Sequence, residues 1–379
     1  MDFVLTQEQE DIRRMARKFA DNELAPKAPY YDKTGEFPWE HFKKMAELGF
    51  TGMMLPVEYG GLGADTLTHT IVIEEIARGS AVMAVMLEVH NTLTCESINR
   101  FGTPEQKKKY LPKLSSGEYL GAFALTEPNS GSDASGMRTT AVLKGDEYIL
   151  NGSKCFITSG GQAHLYLVMA KTNKDAGAKG ISAFLVEKGT PGLSFGQPEE
   201  KMGLTASHTT DLILDNCRIP KENLVGREGE GFKIALTVLD GGRLGIGAQA
   251  VGITQAAYEA ALKYSKERVQ FGQPIANFQA IQWMLAEMST DLDAARMLLY
   301  HAAWLKDQGK PMTTEAAKAK LFASTMAVKH TARAVQIHGG YGYIKEYNVE
   351  RFMREAKVTE IYEGTSEIQK LVIARNILK

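Results

Sequence analysis

GAFALTEPNSGSD (Gly121–Asp133), TAVLKGDEYILNGSKCFITSGG (Thr140–Gly161), LYLVMAK (Leu165–Lys171), ISAFLVEKG (Ile181–Gly189) and DLILDNCRI (Asp211–Ile219) are the stretches on which the fold turns. Each is a short run rich in β-branched and aromatic residues, and Gly, Asn, Asp and Pro separate one from the next, which is the punctuation of successive strands. On either side the texture is helical. Thr6 and Gln9 have the spacing of a capping box, and Ile12, Met15, Ala16 and Phe19 follow on one face, so a helix begins near residue 6. Pro38 and Trp39 open a second helix, the PVEYGGLG segment (Pro56–Gly63) interrupts, and Leu67, Ile71, Ile73, Ile76 and Ala77 mark a third. From Gly231 the strand signals fade into long Ala-, Leu- and Met-rich stretches, with Pro311, Thr313, Thr314 and Glu315 as a further helix start.

The expectation is an α+β chain in sequence order: an N-terminal helical domain over 1–120, a middle β-barrel-like domain over 121–230 and a C-terminal helical bundle over 231–379. This is not the strand–helix alternation of a doubly wound sheet. Gly245, Gly247 and Ala250 match the G-x-G-x-x-A spacing of a nucleotide fingerprint but lie within a helical pattern, so they read as small residues that permit close helix packing.

Length and composition narrow the function. At roughly 100 to 200 residues per domain, 379 residues make two or three packed units. No apolar run approaches the roughly 20 residues of a membrane-spanning helix. With 44 Lys and Arg against 45 Asp and Glu, the net charge is −1, and the overall basic footprint of a nucleic-acid binder is missing. Cys95, Cys155 and Cys217 form no short pair, which excludes a disulfide framework and a cysteine-rich zinc site and fits a reducing compartment. His338 has no second metal-ligand candidate at helical spacing, so no metal is expected. The start, MDFVLTQEQED, carries no visible leader, which leaves a bacterial cytoplasmic protein or the mature form of a mitochondrial matrix protein.

Four segments carry candidate chemistry. In LTEPNSGSD, a strand end runs into a Pro-, Gly- and Ser-rich turn in which Thr126, Ser130 and Ser132 could meet a planar or phosphorylated ligand; an ordinary polar loop is the plain alternative. In NGSKCFITSGG, Phe156 and Thr158 alternate along a strand, so both should face one side of the sheet, although a core Phe beside a strand Thr is the commoner use of such a pair. In KERVQFGQPI and HGGYGY, the rigid guanidinium of Arg268 suits a pyrophosphate and the Gly339–Gly340 pair admits close approach. A solvated Arg, a satisfied core His338 and a helix C-cap are the bland counterparts. In VTEIYEGTSEIQ, Glu363 precedes Gly364 and a helix start, where desolvation by Ile361 and Tyr362 would raise it toward base duty; Glu367 fits the helix dipole better.

Together and in this order, PVEYGGLG, LTEPNSGSD, SKCFITSGG, ERVQFGQPI, QIHGGYGY and RFMREAKVTEIYEGTSEIQ resemble the flavin-dependent acyl-CoA dehydrogenase family over essentially the whole chain, with the short-chain, butyryl-CoA branch nearest. The resemblance implies FAD against the middle domain, with Leu125 and Thr126 on the pyrimidine side of the flavin, Thr158 at N5, Phe156 covering the ring, and Phe123, Gly131 and Ser132 beside them. It implies that a second subunit supplies Arg268 to the pyrophosphate, with Phe271, Gln279, Gln336, Gly339 and Gly340 around the adenosine, and that Thr365 and Glu367 complete the site. It further implies Glu363 as the base that removes the α proton of an acyl-CoA while the β hydrogen leaves as hydride, giving a trans-2-enoyl-CoA. The Glu363 backbone N–H and a ribityl hydroxyl would polarise the thioester carbonyl, and Ser132, Asp240, Arg243 and Gly364 would contact CoA or the acyl group. Electrons would pass to an electron-transfer flavoprotein, in fatty acid β-oxidation, from a homotetramer arranged as a dimer of dimers.

Another branch of the family carries its base at the position of Gly242, which here has no side chain. Glu88, in VMLEVHNTL, falls near the segment that closes the acyl pocket, where short-chain relatives tend to carry Ser or an apolar residue. It sits outside the pocket or signals a branched or alicyclic acyl group. A flavin oxidase or monooxygenase on the same fold, and a catalytically silent assembly protein, are the competing readings.

Overall fold

The computed structural model describes residues 4–378. Seven helices come first: α1 (Gln7–Phe19), α2 (Ala28–Thr34), α3 (Trp39–Glu47), α4 (Thr66–Gly79), α5 (Ala81–Glu88), α6 (Glu96–Phe101) and α7 (Pro104–Ser115). Their starts follow local chemistry. Thr6 and Gln9 close a reciprocal capping box on α1, as do Thr103 and Gln106 on α7, and the Asp65 side chain caps α4 by accepting from the Thr68 N–H at 2.7 Å. Widened π-helical turns at Ala20–Leu24 and Val89–Cys95, which the apolar periodicity does not announce, extend α1 and join α5 to α6.

Eight strands follow: β1 (Gly121–Ala124), β2 (Thr140–Lys144), β3 (Glu147–Thr158), β4 (Leu165–Lys171), β5 (Ile181–Glu187), β6 (Leu193–Phe195), β7 (Thr209–Pro220) and β8 (Leu224–Val225). They form one sheet in the order β6-β7-β3-β2-β4-β5-β8, with β1 parallel to β4 in the register Gly121 to Leu165 through Ala124 to Val168. The path runs from β6 to β8 without closing, so the middle segment is an open sheet rather than the barrel-like form expected. Leu165 through Ala170 of β4 are all buried, which explains their unbroken apolar run.

The last part is helical again: α8 (Gly231–Glu267), α9 (Gln279–Asp307), α10 (Thr313–His338), α11 (Val349–Lys357) and α12 (Ser366–Ile377), with a small hairpin, β9 (Val269–Gln270) and β10 (Gln273–Pro274), after α8. Helix α8, 37 residues long, packs most extensively against α10 and α4. Its small residues set its distances to α9 and α4: a Cβ on Gly247 would stand 2.5 Å from Leu299 Cδ2, and one on Gly252 would stand 2.2 Å from the Glu74 carbonyl oxygen. The Gly245–Ala250 stretch is a packing face. Among the described residues no helix is long and apolar enough to cross a membrane.

One buried network pins the β1–β2 connection to β3. The Glu127 carboxylate accepts from the N–H groups of Arg138 (2.6 Å) and Thr139 (3.0 Å) and from Lys154 Nζ (2.8 Å), while Lys154 also donates to the Leu125 carbonyl at 3.0 Å. Burial pushes Lys154 down to about 8, and the neighbouring Glu127 opposes that shift. Replacing Lys154 with Met leaves Glu127 buried without its counter-charge, so Lys154→Met should cost about 3 to 5 kcal/mol in denaturant unfolding. A loss below about 1 kcal/mol would show that the pair does not anchor this turn.

Candidate active site

The segment between α11 and α12 has an unusual backbone. Glu363 has φ +52° and Gly364 φ +96°, so two successive residues lie in the left-handed half of conformational space. For a non-glycine residue this carries a cost of about 1 to 3 kcal/mol, borne only where the surroundings enforce it. The enforcing group is Lys320 of α10, fully buried, whose Nζ donates to the carbonyls on either side of Glu363: Tyr362 at 3.0 Å and Gly364 at 2.6 Å. Gln369 Nε2 adds a second donor to Gly364 at 2.8 Å, and the Thr365 side chain caps α12 by accepting from the Ile368 N–H at 3.3 Å. The Tyr362 hydroxyl donates to Gln249 Oε1, and Gln249 Nε2 donates to the Ala81 carbonyl at 2.8 Å, which ties the segment to the start of α5.

Held this way, both Glu363 carboxylate oxygens are buried, and the neighbouring Glu88 carboxyl is the one group among the described residues within hydrogen-bonding reach of them. A Cβ on Gly242 would lie 2.2 Å from Glu363 Oε2, so the carboxylate occupies the space that the missing side chain leaves on α8. Burial raises the Glu363 pKa; a hydrogen bond with Glu88 and the charges of Lys320 and Arg243 hold it down. Glu88 ends α5 at full burial, and a Cβ on Gly245 would stand 2.1 Å from its Cγ. The structure buries Glu88 against Glu363. Burial first, and Glu363 second, push its pKa well above the ordinary carboxylate range.

On the sheet, the Leu125 and Thr126 carbonyls are already engaged, by Lys154 Nζ and by the Cys155 N–H at 2.9 Å. Among the described residues the Thr126 and Thr158 hydroxyls have no hydrogen-bond partner. Phe156 and Thr158 both stand on the less buried side of β3, although the β3–β7 register shifts between Lys154 and Ile157 and Phe156 takes φ +57°. That bulge leaves the Phe156 ring 64% exposed while Cys155 and Ile157 stay buried. Phe123 is half-buried on β1, and Gly131 and Ser132 are exposed at the turn, where Ser130 is consumed by a 2.6 Å bond to the Asp133 carbonyl.

Two cavities divide the remaining candidates. One of about 1060 Å³ brings Ser132 together with Asp240, Arg243 and Thr313 and with Ile368 and Arg375 of α12. Asp240 and Arg243 form an ion pair there, and Asp240 also accepts from the Thr313 hydroxyl at 2.6 Å. The other, of about 500 Å³, is lined by Arg268, Gly339, Gly340 and Tyr341, with the Arg268 guanidinium 5.3 Å from the centre of the Tyr341 ring. Phe271 lies outside it, 93% exposed with φ +51° at the β9–β10 turn, and Gln279 opens α9 beyond that hairpin. Gln336 sits in the last turn of α10, and Glu367 in the first turn of α12. The second cavity contains none of the sheet candidates. His338 is a satisfied core residue, bonded through Nδ1 to the Ala334 carbonyl at 2.8 Å and stacked on Tyr264. Among the described residues no group of three or more His, Cys, Asp and Glu is placed to hold a metal.

Sequence reasoning missed Lys320 and Gln249. A lysine in an Ala-rich helix reads as a solvated charge, and nothing local announces that its tip reaches two carbonyls more than forty residues away.

The chain matches the models of the acyl-CoA dehydrogenase N-terminal domain over residues 6–118, the middle domain over 122–217 and the C-terminal domain over 229–378. It is 50% identical to a short-chain specific acyl-CoA dehydrogenase of Clostridium acetobutylicum, covering all of both chains. It is 53% identical to an acryloyl-CoA reductase (NADH) of Anaerotignum propionicum, covering all of this chain and 96% of that one. Among solved structures, a chain from work on the electron transferring flavoprotein of Acidaminococcus fermentans and flavin-based electron bifurcation superimposes with a TM-score of 0.99 at 52% identity over all of both chains. With three domain models matched in order and relatives alike from end to end, this chain belongs to the acyl-CoA dehydrogenase family.

Proposed function

We propose that the protein catalyses the FAD-dependent α,β-dehydrogenation of a short-chain acyl-CoA to the trans-2-enoyl-CoA and passes the electrons to an electron-transfer flavoprotein. The observation that carries this reading is the buried, donor-free carboxylate of Glu363, fixed in a left-handed backbone by Lys320 and facing the gap at Gly242. A base in that state is desolvated, pre-positioned and basic enough to take a proton from a carbon made acidic by a thioester. The short-chain relative and the structural likeness to the flavoprotein-associated chain support the substrate class and the electron acceptor.

The residues of this surface fit FAD. The Phe156 ring is exposed, and the hydroxyls of Thr126 and of Thr158, two residues along the same strand, are unpartnered, so the sheet offers an apolar ring and free donors to a planar ligand. When bound, FAD supplies the hydride acceptor. In this reading Phe123, Leu125, Thr126, Gly131, Ser132, Phe156, Thr158, Thr365 and Glu367 hold it within one subunit, and Arg268, Phe271, Gln279, Gln336, Gly339 and Gly340 hold it from a second. Ser132, Asp240, Arg243 and Gly364 receive the CoA and acyl portions, in line with the 1060 Å³ cavity where three of them meet. The exposed Phe271 and Trp283 leave apolar surface for a homotetramer to cover. Three unpaired, buried cysteines accord with a cytoplasmic site of action.

The placement of Glu88 favours a second substrate reading, a branched or alicyclic acyl group, because a second buried carboxyl stands directly beside the base. A panel of butyryl-, hexanoyl-, dodecanoyl-, isobutyryl- and cyclohexanoyl-CoA separates the two. The short-chain reading expects the butyryl and hexanoyl thioesters to lead in kcat/KM, with the dodecanoyl thioester at least about tenfold slower. Preference for the cyclic thioester would move the assignment to the second reading.

Glu363→Gln keeps the size and removes the basicity of the side chain. Loss of a general base is worth about 10² to 10⁴ in rate, so anaerobic bleaching of the flavin by the best thioester should slow at least about a hundredfold, with yellow colour and oligomeric state retained. A reduction rate within tenfold of the parent would remove Glu363 from the role.

Arg268→Ala should weaken FAD retention and loosen the oligomer together, since loss of a charge-assisted bond costs about 1.5 to 3 kcal/mol. Gel filtration read at the flavin and protein wavelengths checks both at once. Full FAD occupancy in an unchanged oligomer would count against a role across the subunit boundary.

A further inference from the structure

Three buried carboxylate oxygens meet at one point without a donor among them: Glu88 Oε2 and both oxygens of Glu363. The remaining Glu88 oxygen, Oε1, accepts from the Thr92 hydroxyl. The two carboxylates lie within hydrogen-bonding reach of each other, side by side in the gaps that Gly242 and Gly245 leave one turn apart on α8. Two ionised carboxylates cannot share such a space: their repulsion adds to the cost of taking each out of water. One proton between them resolves both problems, since it removes a charge and creates the missing donor.

We infer that Glu88 and Glu363 share a single proton, which Glu88 carries on Oε2 and donates to Glu363, so that Glu88 is a positioning residue that keeps the neighbouring base ionised. The inference rests on the proposed role of Glu363.

The charges around the pair decide which member holds the proton. Glu363 faces Lys320 from α10 and Arg243 from α8, both of which favour its ionised form. The cation that acts most on Glu88 is Lys306 of α9, and that ammonium is already paired with Glu96 at 2.9 Å. Tyr362, buried above the pair, is neutral and turned toward Gln249. Lys306 favours an ionised Glu88, but it is one cation already shared with Glu96, whereas two cations favour the ionised form of Glu363, so the balance leaves the proton on Glu88. A hydrogen bond donated to the charged form of Glu363 lowers its proton affinity, which offsets the effect of burial and leaves the base competent near neutral pH. Because the two titrate together, the pair has two macroscopic steps: the lower frees the base and the upper removes the Glu88 proton.

Three holoenzymes test this: the parent, Glu88→Gln, which keeps a donor but cannot ionise, and Glu88→Met, which fills the space without donating. Infrared spectra at neutral pH, without substrate, should contain the C=O stretch of a protonated, deuterium-sensitive carboxylic acid in the parent and lack it in both variants. The acid limb of anaerobic flavin reduction by butyryl-CoA should stay near parental in Glu88→Gln and move up by at least about one pH unit, tenfold in proton affinity, in Glu88→Met. An alkaline inflection that belongs to the Glu88 proton should be absent from both variants, while one that belongs to Lys320 should remain in all three proteins.

Stability gives a readout independent of turnover. Glu88 is raised above its ordinary value of 4.5, so the unfolded parent ionises there while the folded parent keeps its proton. Parent stability therefore falls as pH rises above that value, and the thermal midpoint of Glu88→Gln should gain on the parent over the same range. An infrared band that survives in Glu88→Gln, coincident pH profiles for all three proteins, or a midpoint difference flat with pH would overturn the proposal. Failure of the parent flavin to be reduced by any acyl-CoA would instead overturn the substrate reading, and the infrared and thermal measurements would still decide whether the proton is shared.

Discussion

A carboxylate can be desolvated inside a protein only where neighbouring atoms make room for it and fix where it points, and in this fold the room is made on α8. The absent side chains of Gly242 and Gly245 leave two adjacent gaps, one filled by Glu363 from the segment before α12 and the other by Glu88 from the end of α5. Much else is arranged around that meeting. Gly252 lets α4 lie close enough to α8 for α5 to arrive at the right height, and the π-helical turn at Val89–Cys95 begins directly after Glu88. The chain from Tyr362 through Gln249 to Ala81 fastens the two incoming segments to each other. An alanine at either glycine would displace a carboxylate, not merely crowd a core, so the small residues of α8 serve the site as well as the packing.

Position alone would leave Glu363 too basic, because burial by itself drives a carboxyl toward its neutral form. Lys320 answers this in two ways. Its contacts with the Tyr362 and Gly364 carbonyls hold the left-handed backbone, and its charge favours the ionised base. The lysine is itself penalised by burial, with its pKa lowered to about 8, so its charge persists at neutral pH but is lost in mildly alkaline solution. A guanidinium would not titrate there, but it is planar and bulkier, and it could not approach two carbonyls from one point as an ammonium does. The choice of lysine favours geometry over charge permanence.

How much of this the sequence discloses follows from the range of the interactions. Capping at Thr6 and Thr103 is written within four residues and can be read directly, and so can the strand runs, whose alternation or continuity reflects local burial. The acyl-CoA dehydrogenase family was legible because its motifs are local and stand in a fixed order. The bulge at Phe156 was not: its positive φ and the shifted β3–β7 pairing depend on contacts with a strand more than fifty residues away. Sheet closure was not legible either, since whether β6 meets β8 depends on twist and on the packed helices. Glu88 was noticed as out of place, yet its position against Glu363 depends on contacts spanning 150 to 275 residues of chain, which no local pattern records.

The candidates also separate by the kind of work they can do, which explains why they are scattered along the chain. The sheet side offers neutral groups: an exposed ring, two hydroxyls and carbonyls whose acceptor capacity is already spent. Charge is confined to the helices, where Arg243, Lys320 and Lys306 surround the two carboxylates. This division has a physical reason. A surface that stacks against an uncharged ring gains from low polarity, and an ion there would need a partner of its own, as Lys154 needs Glu127 behind the turn. Helices can bring charges of both signs to one buried point and satisfy them with backbone carbonyls and each other, while the strands hold the neutral surface rigid. The helix–sheet–helix order of the chain thus gives the groups whose pKa values are most displaced to the helices and the exposed neutral groups to the sheet.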